Sequence, residues 1–219
     1  LTCRKDMGVN TTADLKGKTL GVWFYGNEYP FLSWMSRLGL KTDGSANGVT
    51  VLRQGWGVEP LTEGQAACVS TMSYNEYWVV RDAGYSPEQL TVFKYQSEGA
   101  ATLEDGLYVH EKNLSDAAFK DKMVRFVRAS MKGWKYAEEN PKEAAMIILD
   151  NDDAGVQTEK HQVRMMGEIA KLTAGSNGSL DPADYERTVK VLMSGDSDPV
   201  ITKKPSGAWT NEITNAALN

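Results

Sequence analysis

The chain has 219 residues, 41% of them apolar and 24% charged, with a formal net charge of −5. That length can bury a sizeable core in one or two domains, and the composition is far from that of disordered or collagen-like chains. The longest wholly apolar run is six residues, Ala144 to Leu149, against about 20 for a membrane-spanning helix, so no direct membrane insertion is expected; nor is nucleic-acid binding, because the chain is acidic and has no dense lysine or arginine cluster.

Leu1 to Arg4 resembles a strand end, and residues 6–14 a polar turn region. The opening on Leu1 reads like the interior of a protein, and a further N-terminal portion is expected. Strand-like and helix-like segments then alternate. Lys18 to Trp23 is β-prone and follows a Lys16-Gly17 turn. Tyr29 to Leu38 sets Phe31, Trp34, Met35 and Leu38 at helical spacing and is closed by Gly39. Val49 to Arg53 is a second strand, Glu59 to Gly64 a short helix, and Ala67 to Met72 a third strand. Tyr74 to Ala83 is a helix ended by Gly84, and Leu90 to Tyr95 a fourth strand. Such alternation predicts βαβ units on a mainly parallel sheet.

Beyond Gln96 the pattern changes. Gly106 to His110 is predicted as one more strand, and helices follow. Ser115 is the expected N-cap of a helix to about Glu139, with an apolar stripe of Ala118, Phe119, Met123, Phe126, Val127 and Trp134. Pro141 opens a helix through Leu149, Thr158 to Thr173 is another, Asp181-Pro182 starts a third through Met193, and Trp209 to Leu218 is the last. Trp34, Trp134 and Trp209 fall on apolar helix faces and are expected to be core anchors. These helices would bury their stripes best against a sheet supplied by other residues.

Catalytic signatures are absent: there is no GxSxG, HExxH, CxxC or GxxxxGK[ST]. Two cysteines, Cys3 and Cys68, are too few for a disulfide framework or a usual four-ligand zinc site, and two histidines, His110 and His161, leave little for a metal centre. His161 is expected at or near a helix surface and His110 in a strand. No metal and no cofactor are expected.

Three segments carry binding chemistry. Trp23 to Tyr29 (WFYGNEY) lies at the carboxyl end of a predicted strand, where open α/β sheets bind ligands. Its rings, Tyr25 among them, offer stacking area, and Asn27 and Glu28 offer an amide and a carboxylate. Tyr74-Asn75-Glu76 occupies the same position after the third strand. In both segments the plain alternative is helix capping, since Asn caps and an acid in the first turn favours the dipole. Glu104-Asp105-Gly106 pairs two carboxylates ahead of a predicted strand, as a ligand anchor, a hinge or a solvated turn. Gln54 and Trp56 follow a strand and could line the same crevice. This set of carboxylates suits a donor-rich ligand better than an anionic one.

The stretches ADLKGKTLGVWFYGNE, CVSTMSYNEYWVV, LEDGLYVHEKNL and AAFKDKMVRFVRASMKGWKYAEENPKEAA, in that order, resemble NMT1/THI5-like periplasmic binding proteins. The resemblance implies an α/β fold of the type II periplasmic binding protein kind: two lobes, a hinge and a cleft, with the first lobe partly missing here. Residues 1–14 would be the end of lobe one and the first crossing, 15–97 lobe two, and 98–219 the return crossing with the helical part of lobe one. It implies the substrate-binding component of an ABC importer, a membrane permease as partner, and a periplasmic or lipid-anchored extracytoplasmic location. The ligand would be a thiamine-pyrimidine precursor such as hydroxymethylpyrimidine or formylaminopyrimidine. Others in the wider family bind riboflavin or sulfonates. A fungal branch makes the pyrimidine with its own histidine and pyridoxal phosphate, but its cysteine-rich motif is not reproduced by Cys3 and Cys68. A sensory domain reusing the fold is a third possibility.

Overall fold

The computed structural model describes residues 1–194 and 199–218. Its β-prone segments form one five-stranded sheet from β1 (Thr2–Arg4), β2 (Thr19–Val22), β3 (Thr50–Arg53), β4 (Cys68–Val69) and β5 (Leu90–Val92), in the order β3-β2-β4-β1-β5. β2 runs parallel to β3 and β4, while β1 is antiparallel to β4 and β5. β2 to β5 therefore share one direction, and β1 is the single reversed strand. The predicted parallel sheet is thus a mixed one. Residues 1–14, expected at a crossing, supply that reversed strand and two short 3-10 turns.

The period of two along a strand sorts the core onto the two faces. Leu20, Val22 and Cys68 bury with Phe31, Trp34 and Met35 of helix α1 (Glu28–Arg37). Val69 and Leu90 bury with Leu61 of α2 (Glu59–Thr62) and Val80 of α3 (Glu76–Asp82). Both faces are covered, as a sheet of parallel strands requires. Trp34, predicted as a core anchor, is fully buried and meets Phe93 and Tyr95 with tilted rings at distances of 5.6 and 5.7 Å. Gly39, past the end of α1, takes a left-handed φ of 68° and stops the helix.

The two cysteines face each other in the β1–β4 register and form a disulfide, both wholly buried. Two cysteines are too few for a disulfide framework but suffice for this one bond, and the 65-residue separation hides the pairing until the strands are aligned. Beside them, Gly21 of β2 is pressed against β4. A Cβ there would stand 2.9 Å from Val69 Cγ1 and 3.2 Å from Gln54 Oε1, closer than a side chain tolerates.

The chain divides into two compact units, each described here by itself. The first holds residues 1–103 and 183–205, with the sheet, α1 to α3 and nearly all of α7 (Pro182–Met193). α7 is tied in by a hydrogen bond shared between the Ser33 and Ser194 hydroxyls at 2.8 Å, and by Thr188 Oγ1, which accepts the Leu103 N–H.

The second unit holds Glu104–Pro182 and residues 206–218 of the described chain. It is built from α4 (Ala117–Glu139), α5 (Pro141–Asp150), α6 (Glu159–Thr173) and α8 (Glu212–Leu218). Asp116, not Ser115, caps α4, its carboxylate accepting the Ala118 and Phe119 N–H groups. Ser115 closes the preceding 3-10 turn instead. Thr158 caps α6. Arg128 on α4 donates to the Ala216 and Ala217 carbonyls at the end of α8, where a cation also suits the helix dipole.

Two expectations fail in this unit. Residues 106–110 form no strand: Leu107, Tyr108 and Val109 are exposed, His110 lies with them, and β propensity without a ladder partner leaves the backbone irregular. Trp134 and Trp209 are both more than a third exposed, because the unit's buried cluster is small: Ala144, Ala145 and Met166, flanked by Ala137 and Val163. His161 sits half-buried on α6, as read from the sequence.

Two substitutions test the sheet. Removing the disulfide as the Cys3→Ala, Cys68→Ala pair should lower unfolding stability by about 4 kcal/mol, the loop-entropy effect of a closure this long. Thermal denaturation with and without reductant reads it: reductant should shift the natural chain and leave the pair unmoved. Gly21→Ala should cost ~1–3 kcal/mol through overpacking against β4, seen as a lower urea midpoint.

Candidate functional site

In an open α/β sheet the ligand crevice lies beyond the carboxyl ends of the strands, where the strand order reverses. Here the chain leaves β2 for β3 on one side and then crosses back to β4 on the other. The reversal therefore falls between β2 and β4. The loops beyond their carboxyl ends are 23–27 and 70–75, with 54–58 beyond β3 alongside. Eight of the ten candidate residues belong to these loops or to the helix starts they lead into: Tyr25, Asn27, Glu28, Gln54, Trp56, Tyr74, Asn75 and Glu76. Glu104 and Asp105 lie in the second unit.

The three loops are bound to one another. Trp23 Nε1 donates to the Gly55 carbonyl at 3.0 Å. The Arg53 guanidinium, at the end of β3, lies over the rings of Phe24 and Tyr25, with its carbon 5.3 and 4.8 Å from their centres. Gln54 is buried, and its amide is committed to backbone: Nε2 donates to the Gly57 and Ser70 carbonyls, and Oε1 accepts the Ser70 N–H at 2.8 Å. The structure gives Gln54 the work of a positioning residue that joins the ends of β3 and β4.

Asn27 and Asn75 stand at N-cap positions, but neither side chain caps its helix. Asn27 Nδ2 turns back to the Phe24 carbonyl at 3.3 Å, and Asn75 Nδ2 donates to Glu76 Oε1 at 2.8 Å. The carboxylates hold their own loops. Glu28 Oε2 accepts the Gly26 N–H at 2.7 Å, and Glu76 Oε2 accepts the Met72 N–H at 2.8 Å. Each acid also opens a helix, in the position the dipole favours. Tyr74 is half-buried beside them.

The edge is also aromatic and open. Tyr25 and Trp56 are 90% and 97% exposed, against the general burial of large rings. Tyr25 is the one non-glycine among the described residues with a left-handed backbone, φ 64°. Such a conformation costs a bulky residue about 1 kcal/mol or more, and it holds the ring out at the strand end beneath Arg53.

In the second unit both Glu104 and Asp105 are exposed residues of an irregular segment. The Glu104 carboxyl is nevertheless pushed above its ordinary pKa, first by partial desolvation and then by the adjacent Asp105 charge. Among the described residues no group of three or more His, Cys, Asp or Glu side chains could hold a metal ion.

Arg53, Phe24 and Trp23 were passed over as individual candidates in the sequence. The signal for Arg53 was present: it ends a strand and stands three residues before Trp56.

The NMT1/THI5 like family model matches residues 1–144, which include the whole of this edge and the Glu104-Asp105 pair. No curated protein matches the chain.

The Gln54 clamp is directly testable. Gln54→Leu should leave the Ser70 N–H with the Gly21 carbonyl alone and take the side-chain donor from the Gly57 and Ser70 carbonyls, at a cost of ~1–3 kcal/mol. Amide hydrogen exchange should show faster exchange at residues 70–72 before the rest of the sheet is affected.

Proposed function

The chain belongs to the NMT1/THI5-like family, and from that membership we propose that it is the substrate-binding component of an ABC importer. Its ligand would be a small planar pyrimidine of the thiamine-precursor kind, as hydroxymethylpyrimidine or formylaminopyrimidine is. The observation that supports this reading most is the open aromatic edge at the β2–β4 reversal. Exposed rings of Tyr25 and Trp56 offer faces to a flat heterocycle, and Asn27, Glu28, Asn75 and Glu76 lie in the loops and helix starts at the same end of the strands. Such a site would bind and orient a ring, as a carrier does.

The proposal includes the type II architecture that the family implies, with 1–14 as first crossing, 15–97 as lobe two and 98–219 as the return. Glu104 and Asp105 remain proposed ligand residues from that return segment. It also includes a membrane permease as partner and a periplasmic or lipid-anchored extracytoplasmic location. The buried Cys3–Cys68 disulfide favours such an oxidising compartment. No helix among the described residues is long and apolar enough to cross a membrane.

Titration calorimetry with hydroxymethylpyrimidine tests the reading. The chain should bind it, and Glu76→Ala and Glu104→Ala should each weaken binding at least about tenfold, the loss of one charged hydrogen bond. Unchanged affinity in both variants would sink the assignment of these residues. No binding of either pyrimidine by the natural chain would sink the ligand class.

A further inference from the structure

Asn47 and Asn177 are each followed by glycine. That order of residues is chemically labile. Glycine has no side chain to shield its backbone nitrogen, and its free rotation lets that nitrogen reach the asparagine carboxamide. The fold makes the two sites unequal. At the first, Gly48 is buried and fixed on both sides of its peptide. Its N–H donates to the Ser45 carbonyl at 3.0 Å, its carbonyl accepts the Gly17 N–H at 2.6 Å, and the next N–H, of Val49, donates to the Lys41 carbonyl at 2.7 Å. Turning the Gly48 nitrogen onto the Asn47 side chain would break bonds that hold this loop.

At the second site both Asn177 and Gly178 are exposed. The Asn177 carboxamide is folded forward: Oδ1 accepts the Ser179 N–H at 2.9 Å, which closes a short ring containing the Gly178 nitrogen. The Gly178 N–H has one long hydrogen bond, to the Ser176 hydroxyl oxygen at 3.3 Å, and Asn177 Nδ2 has no partner among the described residues. The glycine cannot be exchanged without strain, because its φ is 78° and a Cβ would stand 2.8 Å from Met131 Sδ. The lability therefore belongs to the shape of the loop.

We propose that Asn177 is a site of spontaneous deamidation in the folded protein, and that the product loosens the start of α8. The Gly178 nitrogen loses its proton and bonds to Asn177 Cγ. The Cγ–Nδ2 bond breaks, and the nitrogen leaves as ammonia with that proton. Water then opens the cyclic imide at either carbonyl, to aspartate or to isoaspartate, in which the main chain runs through the former side chain. Both products add a negative charge, and isoaspartate lengthens the backbone by a methylene. Three residues on, the Leu180 N–H donates to Asn211 Oδ1 at 3.0 Å, and the Leu180 carbonyl accepts from Asn211 Nδ2 at 2.9 Å. This pair ties the loop to the residue before α8, and a longer main chain displaces it. The inference is independent of what the chain binds.

The test ages the full chain for weeks at neutral pH and body temperature and follows both asparagines by peptide mass spectrometry, with enzymatic methylation to detect isoaspartate. In the folded chain Asn177 should convert at least about tenfold faster than Asn47, since Asn47 must first open a hydrogen-bonded loop. In denaturant, where both loops are open, the two rates should converge. Equal rates in the folded chain, faster conversion at Asn47, or a gap that persists in denaturant overturns the assignment. The effect on α8 is read by amide hydrogen exchange at Leu180. Exchange there should quicken in the aged natural chain and stay unchanged in aged Asn177→Gln, whose longer side chain closes the ring far more slowly. Unaltered exchange at Leu180 in a converted sample, or the same quickening in Asn177→Gln, overturns that part.

Discussion

The first unit depends on how β4 is held. This strand has two residues, yet it lies in the middle of a five-stranded sheet and makes the join between the parallel strands and the reversed one. So short a ladder cannot fix its own register. Three additional restraints do so. The Cys3–Cys68 disulfide locks it to β1, Gly21 lets β2 approach it without a side chain between, and the Gln54 amide grips Ser70 as the chain leaves the strand. The Thr2 and Thr71 hydroxyls share a further hydrogen bond at 2.6 Å just beyond. These restraints are of different kinds, and together they set the direction in which residues 70–75 leave the sheet. The candidate site is therefore placed by the packing of its least regular strand.

The chemistry of the edge follows from which polar groups are spent on structure. Glu28 and Glu76 look in sequence like ligand acids and look in structure like supports for tight strand-to-helix turns, each with an oxygen on a backbone N–H. Gln54 is wholly consumed in the same way. Outward there is aromatic surface, with the Arg53 guanidinium over two of the rings and the Glu59 carboxylate against Gly57. Exposed ring surface of this kind offers stacking area, which depends on shape more than on the pattern of donors.

The second unit shows the opposite balance. Its helices are specified locally by caps and dipole partners: Asp116 and Thr158 at the starts of α4 and α6, Pro141 at the start of α5, and Arg128 at the end of α8. Its buried cluster is small, and Phe126, Trp134, Ile147, Leu172 and Leu218 all keep substantial exposure. The helices form because their ends and periodicity are well written, while their apolar stripes are incompletely buried within the unit.

Local chemistry was legible in the sequence wherever it acts over a few residues. The alternation of strands and helices, the helix boundaries within one to three residues at most ends, Gly39 as a helix stop and the aromatic segments at strand ends all depend on propensity and periodicity, which neighbours in the chain determine. The failures share one cause. Residues 106–110 carry a strand's composition but have no ladder partner; Ser115 and Asp116 are both competent caps, and the turn before them decided between them; Trp134 and Trp209 had apolar neighbours along their helices but too little packed against them. The disulfide, the clamp at Gln54 and the stacking of Arg53 on Phe24 and Tyr25 join residues on different strands. By itself the sequence determined the elements, the family and the edge at which to look. Only the tertiary structure decided which side chains at that edge are bound to the protein's own backbone and which face outward, because that depends on strand order and register, which bring together groups far apart in the chain.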